Sequence, residues 1–241
     1  MSILAHLSDL HLIERDHHRR RGLSRRRLQF LSFGAALDAE ARLTRAVALL
    51  QQARRSGADH VLITGDLTED GVDAQFEVLG EALHKSRLDP DCVTLVPGNH
   101  DGYADPGAFA RAMHGPLRAF RRTSGEGALS VLPGAVIAPV STMIEGQWFT
   151  RSRGVLRHDD LGRVRRVASD PISRDRAVVV AQHHPPAHQP LAALEWFDGV
   201  HNAFAMRDLM LERTRVHVLH GHTHRRATRH LSGRTHAQVF S

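Results

Sequence analysis

At 241 residues the chain falls within the range of one α/β domain. Its 41% apolar and 24% charged residues exclude the disordered, fibrous and collagen-like classes. Cys92 is the only cysteine, which excludes an intramolecular disulfide, and no run of about 18 apolar residues is present to span a bilayer. The formal net charge of +6, carried almost wholly by arginine, suits anionic partners such as phosphate esters, nucleic acid or an acidic membrane surface.

Ile3 to Leu7 reads as a buried strand that delivers Ser8-Asp9-Leu10-His11 at its C-terminal end. The first residues lack the basic start and apolar core of a signal peptide, so a cytoplasmic location is expected. Residues 14–33 differ in character. Arg15, Arg19, Arg20, Arg21, Arg25, Arg26 and Arg27 crowd together ahead of Leu28, Phe30, Leu31 and Phe33, as in a basic insertion with an amphipathic end. A solvated arginine face and a short packed helix are the plain reading of 15–33. Contact with an anionic substrate or with the inner membrane face is the functional one.

From Leu37 to Arg55 the apolar positions Leu43, Val47, Leu50 and Ala53 recur at helical spacing, and Gly57 is placed to stop the helix. His60 to Thr64 predicts a second strand ending in Gly65-Asp66, Ala74 to Ser86 a helix, and Cys92 to Val96 a third strand leading to Gly98-Asn99-His100-Asp101. Cys92 itself reads as a small buried apolar residue. The region 127–166 has short β-like pieces between Gly and Pro, which suits a more antiparallel part. Ala177 to Ala181 then runs into Gln182-His183-His184-Pro185-Pro186, and Val216 to Leu219 into His220-Gly221-His222-Thr223-His224. A final hairpin is expected from Arg229 to Leu231 and Thr235 to Phe240, turning at Ser232-Gly233.

Five predicted strands thus end in histidine, carboxamide or carboxylate residues, and in open α/β sheets the crevice beyond the strand C-termini is where ligands bind. Asp9, His11, Asp66, Asn99, His183, His222 and His224 supply oxygen and imidazole donors without a thiolate, the set that hard or borderline divalent metals prefer. On an extended segment Asp9 and His11 share a face, as do His222 and His224. Gly65, Gly98 and Gly221 precede ligand positions, where a small, φ-permissive residue lets the backbone turn and approach closely. His6, His17, His18, His60, His84, His217, His220 and His230 hold no such position and read as surface or satisfied core histidines.

The ordered segments D-x-H, G-D, G-N-H-D, H and G-H-x-H, spanning residues 9–224, resemble the calcineurin-like metallophosphoesterase superfamily. That resemblance implies an α/β, four-layer fold, a β-sandwich flanked by helices on both faces, forming one domain over residues 1–241. It implies two divalent or mixed-valence ions (Mn, Fe or Zn). Asp9, His11 and His224 would hold one, Asn99, His183 and His222 the other, and Asp66 would bridge them. The first histidine of the His183-His184 pair is the implied ligand, with His184 the alternative. A hydroxide between the metals would attack phosphorus in line, while His100 would contact the phosphate and protonate the leaving oxygen. Asp101 would orient His100 or stabilise its turn.

Within the superfamily the likeness is to small bacterial members of the cyclic-nucleotide phosphodiesterase type, implying a small anionic phosphodiester substrate. The alternative substrate is a lipid-linked pyrophosphate such as a nucleotide-activated acylated sugar, motivated by the basic and apolar insertion. Nucleic acid ranks lower, because one Tyr, two Trp and nine Phe leave little material for base stacking. A phosphomonoesterase is a further option, and the complete ligand set argues against a non-catalytic scaffold. Nothing in the sequence selects an oligomeric state.

Overall fold

The computed structural model describes residues 2–186, 191, 196–230 and 238–240. One sheet is parallel, in the order β1 (Leu4–Leu7), β2 (His60–Thr64), β3 (Val93–Val96). A second, six-stranded sheet contains β4 (Ser130–Val131), β5 (Ala135–Pro139), β7 (Ala177–Ala181), β9 (Val216–Leu219), β10 (Thr228–His230) and β11 (Gln238–Phe240), in the order β10-β11-β9-β7-β5-β4. Its middle is parallel and its margins, β4 with β5 and β10 with β11, are antiparallel. Between β5 and β11 lie β6 (Gly154–Val155) and β8 (Val200–His201), which form a separate parallel pair.

The period-two alternation of the strands builds three apolar layers. Val61, Ile63, Val93 and Leu95 face outward onto helices α2 (Ala39–Arg55) and α3 (Asp73–Ser86), through Leu43, Leu50, Phe76, Leu79 and Leu83. Leu62 and Val96 face inward and meet Ile137, Val179, Ala181 and Leu219 of the other sheet. Val136, Val178, Val180, Val216 and Val218 face the far side, onto α6 (His158–Ser169) and α7 (Ala203–Glu212). Two short helices, α4 (Ala108–Ala112) and α5 (Arg121–Ser124), close the end of the first helical layer. The result is the expected four-layer sandwich, helix on sheet on sheet on helix.

Several local expectations need correction. The stretch 127–166 ends in a helix rather than in β-pieces. Leu161, Val164, Val167 and Ala168 form its apolar face against the second sheet, and Asp159 and Asp160 favour its N-terminal turn. Strand β1 is half-buried because it lies at a sheet edge. Cys92 is half-buried rather than buried. The two strands of the terminal hairpin are present, and its turn at Ser232-Gly233 lies outside the described residues.

The arginine-rich insertion is only partly a solvated face. It forms helix α1 (Gly22–Leu31), whose Leu28 and Leu31 are buried. Arg20 grips Asp70 in a two-bond fork, at 2.7 and 2.9 Å, and also pairs with Glu14, while Arg27 adds a second guanidinium to Asp70 at 2.7 Å. Arg15 reaches Glu40 and Glu81 on α2 and α3. Buried carboxylates such as Asp70 and Glu14 need partners of this kind, because an unpaired buried charge costs several kcal/mol. The insertion is therefore bolted to the first sheet's helices.

His60 lies between the sheets with its Nε2 2.8 Å from Thr94 Oγ1, whose own proton goes to the Thr123 carbonyl. The imidazole accordingly donates from Nε2, and burial holds its pKa at about 4. The folded state keeps His60 neutral while the unfolded chain protonates it below its ordinary value of 6.5, so this stability is lost as the pH falls from 6.5 toward 4. We expect a loss on the order of 2 kcal/mol from this group by about pH 5. In urea titrations at about pH 7 and about pH 5, His60→Gln, which keeps a donor to Thr94, should decline less than the parent. Equal declines would show that His60 is not the group responsible.

Candidate metal centre

The strands β1, β2, β3, β7 and β9 all release their chains at one end of the sandwich. The exit loops then run bonded side by side: Asp9 N–H donates to the Gly65 carbonyl at 3.0 Å, His11 N–H to that of Asp66 at 2.9 Å, and Gly221 N–H to that of His183 at 3.0 Å. Asp9, His11, Asp66, His222 and His224 all have positive φ, between 48° and 69°. The D-x-H and H-x-H pairs are therefore not extended, as the sequence suggested. Left-handed turns aim their side chains, in a conformation that Asp and His tolerate better than most residues but that still stores strain.

Glycine serves two different needs here. Gly65 has φ +87°, and a Cβ on it would lie 2.2 Å from His183 Nδ1. Gly98 has no such φ, but a Cβ there would strike Asp66 Oδ1 at 2.2 Å. The second glycine is required by close approach alone.

All eight of the predicted site residues lie in one cluster. Around His183 Nε2 stand Asn99 Oδ1 at 3.1 Å, Asp66 Oδ2 at 3.2 Å and His222 Nδ1 at 3.3 Å. Asp9, His11 and His224 offer donor atoms within 4.8 Å of one another, and so do His11, Asp66 and His100, and Asp9, Asp66 and His183. Asp66 is common to both sides of the cluster. His100 Nε2 stands 3.9 Å from Asp66 Oδ2.

The donor set fits cations. His11 is half-buried as a residue, yet both of its ring nitrogens are sealed from solvent with no hydrogen-bond partner. Glu69 Oε2 is 3.5 Å from His11 Nδ1, and burial together with the neighbouring His100 holds the imidazole at about 4, neutral and able to ligate. Burial would raise the Asp66 carboxyl, but the rings of His183, His100 and His11 around it keep it well below the usual carboxylate range. Burial would lower His183, yet Asp66 beside it lifts the ring to about 9. Without a cation, a proton on His183 balances the Asp66 carboxylate 3.2 Å away, and a bound cation would take the place of that positive charge.

The surrounding groups set the direction of each donor. His183 Nδ1–H goes to the Thr64 carbonyl at 2.8 Å, which turns Nε2 inward. His222 Nε2 meets Asp198 Oδ1 at 2.6 Å, which turns Nδ1 inward. Asn99 Nδ2 donates to the Tyr103 hydroxyl at 2.7 Å, and that hydroxyl donates to the Arg151 carbonyl at 2.6 Å, so the amide presents Oδ1 to the cluster. His100 Nδ1–H goes to the Glu69 carbonyl at 2.7 Å, leaving Nε2 on the cluster side. His184 is different: Thr142 Oγ1 at 2.7 Å and the Ser152 carbonyl at 2.9 Å occupy both of its nitrogens.

Sequence reasoning missed Asp198 and Tyr103. Asp198 belongs to no motif, whereas Tyr103 is the single tyrosine of the chain and stands four residues after Asn99, a spacing that was there to be read. Of the two roles expected of Asp101, stabilising the turn is the one its hydrogen bonds serve. Asp101 does not touch His100 but accepts from the backbone N–H groups of Leu67, Thr68 and Gly98 and from the Thr68 hydroxyl, stapling the β2 exit loop to the β3 exit loop. Burial, reinforced by the charge of Asp66, pushes its carboxyl up to about 6.

A four-layer sandwich carrying paired Asp, Asn and His donors at its strand ends defines the class of dimetal phosphoesterases. The chain belongs to the calcineurin-like phosphoesterases, whose family profile matches residues 3–226, and it is a metal-dependent phosphoester hydrolase by membership. Among solved structures it is similar to a dimetal phosphatase from Danio rerio, with TM-score 0.66 and 15% identity over 98% of this chain and 85% of that one. It is similar also to the protein TT1561 of Thermus thermophilus, at TM-score 0.58 and 12% identity over 98% and 87% of the two chains. A purple acid phosphatase from yellow lupin gives TM-score 0.59 and 11% identity over 94% of this chain and 38% of the other. At these identities the likeness speaks for the fold alone. No curated protein matches the sequence closely enough to be counted.

Replacing Asp101 tests the staple. Asp101→Ala strands the buried amides of Leu67, Thr68 and Gly98, each at about 1–3 kcal/mol, so a total loss of at least about 3 kcal/mol is expected in denaturant unfolding. A loss below about 1 kcal/mol would mean that water replaces the carboxylate.

Proposed function

We propose that the protein is a phosphodiesterase in which Asp9, His11 and His224 hold one divalent ion, Asn99, His183 and His222 hold a second, and Asp66 is shared. Two such ions would supply Lewis acidity and a nucleophile available at neutral pH. The ordered convergence of Asp66, Asn99 and His222 on His183 Nε2, each within 3.3 Å, carries the reading. His183 is the ligand of its pair because His184 has no nitrogen left to give.

His100 suits the proton-transfer role. The Glu69 carbonyl fixes its Nδ1–H, so Nε2 is the atom that faces a leaving oxygen and can hand it a proton. Tyr103 and Asp198 act as positioning residues, the first through Asn99 and the second through His222. A diester rather than a monoester is supported by the charges at the cluster. Arg42, whose guanidinium donates to the His11 carbonyl, has its charge taken up by Glu69. A dianionic monoester gains more from free cationic side chains than a monoanionic diester does. Small cyclic or linear nucleotide diesters are the proposed substrate class. The lipid-linked pyrophosphate reading draws on the basic and apolar insertion that follows His11, in which Leu23 and Phe30 stay exposed.

Hydrolysis of bis-p-nitrophenyl phosphate and of p-nitrophenyl phosphate, by chelator-stripped protein reloaded with manganese, tests the reading. The diester should be preferred, Asp66→Asn should abolish turnover, and His100→Gln should lower kcat about a hundred- to ten-thousandfold. Metal analysis should find two ions per chain, and fewer in His11→Ala. Monoester preference would move the assignment to a phosphatase, and inactivity on both esters with two ions bound would favour the lipid-linked pyrophosphate. A chain that retains no metal would overturn the assignment altogether.

A further inference from the structure

We propose that helix α1 and the loop 147–151 together form a docking surface for an anionic lipid bilayer beside the metal cluster. Two segments far apart in sequence meet there. Phe30 lies 5.6 Å from Phe33 and 5.5 Å from Phe149, and Phe149 lies 4.9 Å from Trp148, measured between ring centroids. These rings are not core. Phe33 is 84% exposed, Trp148 57% and Phe30 46%, and Leu23, seven positions before Phe30 and hence on the same side of α1, is 53% exposed. A contiguous exposed apolar patch of this kind marks an interaction surface.

Charge selects the partner. Arg19, Arg21, Arg25 and Arg26 on the same insertion are exposed. Arg19 has a carboxylate, that of Asp16, only at 3.9 Å, while Arg21 spends one nitrogen on the His18 and Arg20 carbonyls. Among the described residues Arg21, Arg25 and Arg26 form no ion pair. The exposed carboxylates within residues 15–33 and 144–151 are Asp16 and Glu145, so the surface is net positive. Apolar rings surrounded by arginines match the interfacial zone of an anionic bilayer, where rings enter the acyl boundary and guanidinium groups meet phosphates. A second copy of the chain docked by a two-fold axis would set this arginine cluster against itself, which like-charge repulsion opposes.

The patch is also held rigidly near the chemistry. Arg20 and Arg27 lock the insertion onto buried Asp70, and Arg42 ties the neighbouring α2 to the His11 carbonyl at 2.7 Å. On the other segment Arg151 N–H donates to the Trp148 carbonyl at 2.9 Å, and the Arg151 carbonyl accepts from Tyr103, the partner of Asn99. A docked bilayer would lie beside the cluster and present substrates from its surface. The docking surface rests on its own residues and is independent of which ester is cleaved.

Sedimentation of the full chain with vesicles of equal parts phosphatidylcholine and phosphatidylglycerol, compared with phosphatidylcholine alone, tests this. Binding should require the anionic lipid and weaken with salt. Arg25→Gln with Arg26→Gln should weaken it about fivefold per arginine, and Phe33→Ser with Trp148→Ser at least about tenfold. Both double variants should keep the parent's thermal midpoint and its lipid-free turnover of bis-p-nitrophenyl phosphate, since none of the four residues touches the cluster. No vesicle binding by the parent, or binding unchanged in the variants, would overturn the proposal. So would a parent that self-associates without vesicles and becomes monomeric in the variants, because that outcome assigns the patch to a second copy. Vesicle binding without diester turnover would sink only the ester assignment.

Discussion

The imidazole of His183 spans the seam between the two sheets, and the rest of the centre is arranged around it. It leaves β7 in one sheet, gives its Nδ1 proton to the Thr64 carbonyl at the end of β2 in the other, and points Nε2 at Asp66, Asn99 and His222. The ring fits only because residue 65 has no side chain, since a Cβ there would sit 2.2 Å from Nδ1. This buried hydrogen bond, with that of the His222 N–H to Asp9, registers two sheets whose strands meet through non-directional apolar packing among Leu62, Val96, Ile137 and Val179. Hydrophobic burial brings the layers together, and the directional bonds decide where the loops meet.

The cluster is expensive for the polypeptide to hold. Asp9, His11, Asp66, His222 and His224 sit at positive φ, carboxylates and imidazoles face one another, and the ring nitrogens of His11 are sealed from solvent without a partner. These costs are offset by rigid acceptors and donors behind His183, His222, Asn99 and His100. Asp101 collects the amides of two loops, while the Glu69 carbonyl, Asp198 and Tyr103 fix which atoms of His100, His222 and Asn99 face inward. Support of this kind holds a site in its productive geometry before any ligand arrives.

The insertion shows how one residue type can serve two purposes. Arg15, Arg20 and Arg27 are struts, paired with carboxylates on α2, on α3 and in the β2 exit loop, whereas Arg21, Arg25 and Arg26 stand in solvent beside exposed aromatic rings. In the sequence they form one undivided cluster. Their separation depends on where Glu14, Asp70 and Glu81 come to lie, and those positions are set by the fold.

The sequence by itself determined the five strands that lead into the cluster, the two large helices that follow β1 and β2, and the residues of the cluster, because burial periodicity and short polar motifs are local properties of the chain. Val61 and Ile63 alternate with Leu62 whatever they pack against, and Asp9-x-His11 is legible without a partner. The tertiary structure alone decided how the cluster is aimed: Asp9, His11, Asp66, His222 and His224 by left-handed turns rather than by an extended pleat, with Asp198 brought to His222 across 24 residues and Tyr103 tied to a carbonyl 48 residues away. It also set the two histidines of the pair apart, since only the folded neighbourhood shows that Thr142 and Ser152 lie against the second ring. Hydrogen bonds over such separations leave no periodic trace in the chain, because which donor meets which acceptor is fixed only when the layers have packed.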